Sequence, residues 1–231
     1  MTQRPETDGR RLWWVLCLAL ALPTLALNIA LRPRLPDGCV ALDTAVADWP
    51  LLAQSLVLRP DAGIAQPVWV WWSSAWLHGS LPHLLRNLAG LGLVAVLGWL
   101  IRPTRSTALA AWLAWPLTQV GMLMQPTLAS YVGLSGVLHA CVVVLAWQEA
   151  TRHRPQPLPQ RALHPTQLGA WALLIGVAAK VLMENPWGDT LVASASSAIN
   201  VAPWAHLSGC AAGVLSTWVL ARGSRLAQKR H

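Results

Sequence analysis

Residues 12–31 read LWWVLCLALALPTLALNIAL, an unbroken uncharged run between Arg11 and Arg32. As a helix rising ~1.5 Å per residue, it is long enough to cross the ~30 Å hydrocarbon core of a bilayer. Working outward, similar runs cover about 82–101, 107–125, 132–148, 168–186 and 203–221. Apolar residues make up 55% of the chain and charged residues 11%, well below the ~25% charge of a soluble domain. Six such runs joined by short links leave no room for a second, soluble domain. The pattern predicts an all-α polytopic membrane protein with six transmembrane helices, built as one domain over residues 1–231.

The net charge of +8 and the pI near 10.6 would ordinarily raise nucleic acid as a partner. Position excludes it. Arg4, Arg10 and Arg11 precede the first run, Arg102 and Arg105 follow the second, and Arg152, Arg154 and Arg161 follow the fourth. Arg222, Arg225, Lys229 and Arg230 follow the sixth, whereas the alternate loops hold only Arg32, Arg34 and Arg59. By the positive-inside rule both termini are cytoplasmic, and the loops 33–68, 126–131 and 187–202 face outward. The expected organisation is a cytoplasmic tail at 1–11, an outward loop at 33–68, a cytoplasmic link at 151–166 and a cytoplasmic tail at 222–231. The first run exceeds the ~7–15-residue apolar stretch of a signal peptide, so it is expected to be a retained span. Cys17, Cys39, Cys141 and Cys210 form no CxxC, and neither a disulfide framework nor a metal site is expected.

The outward loop leads into WVWWSSAWLH, whose Trp69, Trp71, Trp72 and Trp76 suggest an interfacial belt. The link TRHRPQPLPQRALHP is a proline-rich basic tether. Fifteen Trp and no Phe make an unusual aromatic usage with no physical account at this level.

Polar side chains inside the runs are expensive in hydrocarbon and need a partner or a task. The second run opens with HGSLPHLLRN, residues 78–87. His83 and Asn87 are four apart and share a helix face, while His78 is turned away from them. That spacing suits a hydrogen-bonding pair and not a three-histidine cage, and no HExxH is present. The bland alternative is that these histidines satisfy backbone carbonyls. The fourth run contains YVGLSGVLHAC, residues 131–141. Gly133 and Gly136 allow close backbone approach, and Ser135 falls at a helix N-terminus, where N–H groups favour developing negative charge. Ser135 reads either as a simple N-cap or as a nucleophile. The sixth run opens with PWAHLSGCAAG, residues 203–213. His206, Gly209 and Gly213 line one face, and glycines four apart permit tight helix contact.

By topology the second, fourth and sixth runs all begin at the outer side, which brings Ser135, His206, His83 and Asn87 to similar shallow depth. Ser135 is then the candidate nucleophile and His206 its general base. No carboxylate is evident to orient His206, so a dyad is expected. His83, Asn87 and the Ser135 backbone N–H are candidate oxyanion donors.

HGSLPHLLRN, GLSG and AHLSGCAAG, in this order and spacing, resemble the rhomboid family of intramembrane serine proteases. The resemblance implies a six-helix rhomboid-like fold, Ser135 and His206 as the catalytic dyad, oxyanion roles for His83 and Asn87, and a structural role for His78. The loop 33–68 would correspond to the family's partly embedded first loop. Two departures stand out: Trp69 is followed by Val70 where many members have Arg, and His139 stands where many have Tyr. GLSGVLH, AHLSG and the compact length are most similar to the rhombosortase subfamily, which Lys180 and Glu184 also fit. That implies a bacterial inner-membrane enzyme whose transmembrane substrates carry a C-terminal tail of Gly-Gly motif, helix and basic end. Besides the lipid bilayer and such substrates, no cofactor, metal or nucleic acid is implied, and the sequence sets no oligomeric state.

Of the remaining residues, His139 either is a packing residue that shapes the site, or stacks on His206 and tunes its basicity, or competes as an alternative base. Lys180 and Glu184, four apart, either pair with each other or bind the substrate tail. Arg86 points off the His83–Asn87 face and is expected to snorkel toward headgroups, with substrate recognition as the alternative. A general rhomboid, a non-cleaving helix-binding relative and a transporter are the competing readings. The last would place ionisable groups near the bilayer midplane, and here they gather near one surface.

Overall fold

The computed structural model describes residues 8–31, 46, 49–152, 164–193 and 200–228, with side chains to residue 223 in the last segment. Six long helices dominate: α1 (Arg10–Leu31), α2 (Leu81–Ile101), α3 (Arg105–Gly121), α4 (Ser135–Thr151), α5 (Pro165–Met183) and α6 (Pro203–Gln228). A two-stranded antiparallel ribbon, β1 (Val192–Ala193) and β2 (Asn200–Val201), lies between α5 and α6. Four segments, Arg10–Leu31, Leu81–Ile101, Arg105–Met124 and Pro165–Met183, are long and apolar enough to span a bilayer. α4, with 17 residues, is shorter, and α6 carries more polar positions, among them His206, Ser208, Ser216 and Thr217. The protein is therefore an all-helical, multi-pass membrane protein.

α4 is the axis of the fold. Apolar nearly all round, as a core helix must be, it buries Val137, Leu138, Cys141, Val144 and Leu145. These pack against Trp13, Leu16 and Leu20 of α1, Leu91 and Val94 of α2, and Ala111 and Trp115 of α3. α5 is peripheral, with only Gln167, Ala170 and Val181 buried, so most of its apolar surface faces outward. Small residues set the α4–α6 contact. A Cβ on Gly209 would stand 2.0 Å from the Gly136 carbonyl oxygen, and one on Gly136 would stand 2.7 Å from that of Ala205. The glycine face expected from AHLSGCAAG is thus pressed against α4 backbone to backbone.

The helix starts explain which end holds the polar groups. Ser80 caps α2, its Oγ accepting from the His83 N–H at 3.3 Å. The Gly133 N–H donates to the Ser74 carbonyl at 3.0 Å, and Tyr131 exchanges two backbone bonds with Leu58. The start of α4 is thereby tied to the chain that precedes α2. Trp204 Nε1 donates to the Gly121 carbonyl at 2.9 Å and ties the start of α6 to the end of α3. α2, α4 and α6 therefore begin at one end of the bundle. At the other, the Thr104 N–H donates to Gln148 Oε1, and Arg152 donates to the Ile101 carbonyl.

The tryptophans act as latches. Trp76 Nε1 donates to the Ala19 carbonyl, Trp112 to Leu12, Trp115 to Trp72 and Trp69 to Ser55. Asn28 Nδ2 adds a bond to the Trp76 carbonyl at 2.7 Å. Trp71, Trp72 and Trp76 are thus partly buried against the bundle, and only Trp69 among the four is largely exposed. An indole offers apolar area and one donor, which suits a site where a backbone carbonyl would otherwise lie unpaired in an apolar setting. The expectations for 33–45, 47–48 and most of the 151–166 link lie outside the described residues.

Candidate active site

The Ser135 side chain opens the first turn of α4, and Leu134 holds the N-cap position without a side-chain cap bond. The N-cap reading of Ser135 is thereby set aside: its Oγ instead meets His206 Nε2 at 3.0 Å. His206 stands in the first turn of α6 and is buried. Gly136, next to Ser135, and Gly209, one turn beyond His206, let α4 and α6 approach closely enough for this contact.

His139 stacks on His206, with ring centroids 4.2 Å apart and planes 21° from parallel. Its Nδ1 lies 2.8 Å from the Ser135 carbonyl, which can only accept, so that nitrogen carries the proton. The stacked ring is placed both to shape the site by packing and to act on His206.

A carboxylate and an ammonium stand at the far side of His206. Its Nδ1 lies 2.6 Å from Glu184 Oε2, and the other Glu184 oxygen lies 2.7 Å from Lys180 Nζ. The expectation that no carboxylate is placed beside His206 is corrected: Glu184 lies within hydrogen-bonding distance of its Nδ1. Lys180 and Glu184 do pair across one turn of α5, but Glu184 sits at the C-cap, where the helix ends and its second oxygen reaches α6.

On the opposite flank, Gly133 has φ +129°, a conformation that favours glycine. A Cβ there would come within 2.9 Å of His83 Cε1 and 3.0 Å of its Nε2, so the glycine seats the His83 ring beside the start of α4. Asn87 follows on the same face of α2. It is buried, and its Nδ2 has no hydrogen-bond partner among the described residues. A buried amide donor left unpaired costs roughly 1–3 kcal/mol, which a transient anion would offset. His78 is fully enclosed and meets His83 edge to face at 4.9 Å. Arg86 is exposed, as its position off that face predicts. Tyr131, the chain's single tyrosine, was not singled out from sequence. It is buried and its hydroxyl donates to the Gly133 carbonyl at 3.4 Å, bracing the loop that carries the serine.

Among the described residues no group of His, Cys, Asp and Glu could hold a metal ion. Cys17, Cys141 and Cys210 are free thiols. What the arrangement offers is a hydroxyl at a helix start, an imidazole within hydrogen-bonding distance of it, a carboxylate behind the imidazole and, on the His83 face of α2, an unpaired Asn87 amide. That set can transfer a proton from a hydroxyl and stabilise an oxyanion.

The Rhomboid domain family matches residues 65–223, more than half of the chain, and the protein belongs to the rhomboid family. This is a family of intramembrane serine proteases, and membership supports that activity class. No curated protein matches the chain.

Proposed function

We propose that the protein is an intramembrane serine endopeptidase in which Ser135 is the nucleophile and His206 the general base. The observation that carries this reading is the 3.0 Å contact between Ser135 Oγ and His206 Nε2 across two different helices. Ser135 Oγ attacks the scissile carbonyl carbon while its proton passes to His206 Nε2. The oxyanion that forms is stabilised by the Asn87 amide, the His83 ring and the Ser135 backbone N–H. Collapse breaks the C–N bond, and the leaving amine takes the proton from His206. Water then attacks the acyl-enzyme with His206 again as base, which frees Ser135.

The substrates are membrane proteins whose C-terminal tail carries a Gly-Gly motif, a transmembrane helix and a basic end, as the likeness to rhombosortases implies. The setting is the bacterial inner membrane, with six spans in one domain over 1–231, α4 and α6 completing the four long apolar helices. Both termini are cytoplasmic, and Ser135 lies near the outer face. Gly136, Gly209 and Gly213 support helix approach, Gly133 and His78 support the oxyanion side, and His139 supports the base.

The test is co-expression of a reporter bearing such a tail with wild type or Ser135→Ala, mapping the new C-terminus by mass. Cleavage beside the glycines that vanishes with Ser135→Ala is expected. Serine-dependent cleavage of other single-span proteins but not of this tail would instead favour a general rhomboid.

A further inference from the structure

We propose that Glu184 is the positioning carboxylate of His206 and that Lys180 holds it in place, so that the hydrolytic centre is a Ser135–His206–Glu184 triad. The inference rests on the serine-protease reading above and concerns which groups make His206 an effective base.

Proton placement carries the argument. His206 Nδ1 has two neighbours, Glu184 Oε2 at 2.6 Å and Lys180 Nζ at 3.3 Å. An ionised carboxylate can only accept and an ammonium can only donate, so the two neighbours demand opposite states of Nδ1. The shorter contact decides: two lone pairs could not approach to 2.6 Å, so Nδ1 carries the proton and donates it to Glu184. The remaining nitrogen, Nε2, then presents its lone pair to Ser135 Oγ at 3.0 Å, which is the tautomer a general base requires. Had Lys180 donated to Nδ1, neutral His206 would carry its proton on Nε2 and could not accept from serine.

The carboxylate is also held from behind. Lys180 Nζ lies 2.7 Å from Glu184 Oε1, one helical turn back, so the two oxygens have separate partners. A surface pair at this spacing is worth only a few tenths of a kcal/mol and would not require the second oxygen to face a buried imidazole. The Glu184 side chain is 26% exposed and that of Lys180 49%, so solvent weakens the arrangement but leaves it reachable by substitution. His139, stacked on one face of His206, restrains the ring plane, while Glu184 selects the rotation within it and stabilises the imidazolium that forms.

The test uses the full chain in detergent micelles and a fluorophosphonate probe. Ser135 Oγ forms a bond to phosphorus, the P–F bond breaks, fluoride leaves and the hydroxyl proton passes to His206. For Glu184→Gln the account expects the maximal inactivation rate to fall about 10- to 100-fold, the loss of one charge-assisted hydrogen bond. The fall is smaller than the ~10⁴ seen when a buried triad carboxylate is neutralised, because Glu184 is partly solvated. The half-saturating probe concentration and the melting temperature stay near wild type, and Glu184→Asp recovers part of the rate. An unchanged maximal rate in folded Glu184→Gln overturns the triad while leaving the serine-protease reading intact. Absence of Ser135-dependent labelling in wild type overturns that reading and the triad with it. Should Glu184→Gln fail to fold, Lys180→Met decides: it leaves the carboxylate in place but unclamped, and a several-fold slower rate is expected, an unchanged one contrary.

Discussion

Substituting Gly209 by alanine tests whether the site is built by backbone contact between α4 and α6. A Cβ at Gly209 would lie 2.0 Å from the Gly136 carbonyl oxygen, against the 3.0–3.4 Å that a tight real contact needs. The obstacle is backbone, so no rotamer change relieves it, and the helices must separate by about 1.0–1.4 Å. Gly136 follows Ser135 directly, and Gly209 stands one turn beyond His206, so the separation acts on the 3.0 Å Ser135–His206 contact itself. Stretched by that amount, the pair passes beyond hydrogen-bonding distance. A misplacement of about 1 Å at a reacting pair costs on the order of 10²-fold in rate, and overpacking of this kind costs about 1–3 kcal/mol in stability. Labelling by fluorophosphonate, read beside thermal melting in the same micelles, measures both. Gly176→Ala is the control, because nothing stands within 4 Å of a Cβ there. Wild-type labelling and melting in Gly209→Ala would refute the close-packing argument.

Three further outcomes follow from the same geometry. Asn87→Ala removes an unpaired donor, so turnover is expected to fall ~10²–10³-fold with melting unchanged or slightly raised; a large loss of stability would show that the amide has a structural partner. Gly133→Ala is expected to abolish most activity, since φ +129° resists a side chain and the added carbon meets the His83 ring; cleavage kinetics at fixed protein level check it. Asn28→Leu removes the bond to the Trp76 carbonyl that holds the first loop on α1, and should destabilise by about 1–3 kcal/mol with an intact serine–histidine pair, measured by melting and probe labelling together.

Much of the site was legible because its chemistry follows chain-local patterns. GLSG marks a helix start whatever surrounds it, and the i, i+3, i+7 spacing of His206, Gly209 and Gly213 defines a small-residue face before any partner is known. What escaped depends on tertiary placement. Lys180 and Glu184 already satisfy each other at i, i+4, so nothing local shows that the second carboxylate oxygen crosses to α6. That Ser135 lies inside the first turn depends on the backbone of Leu134, which cannot be read from composition. α4 falls short of the four long apolar helices in length, with 17 residues, and not in apolarity. Five tryptophans, Trp69, Trp76, Trp112, Trp115 and Trp204, donate their indole N–H to carbonyls distant in sequence, a role no local pattern shows.

The most direct measurement of the central claim is the site of covalent attachment of a fluorophosphonate to the full chain, located by peptide mass mapping. The account predicts a single adduct on Ser135, present in wild type and absent in His206→Ala. An adduct on another serine such as Ser208 or Ser130, or labelling of Ser135 that survives loss of His206 undiminished, would contradict it.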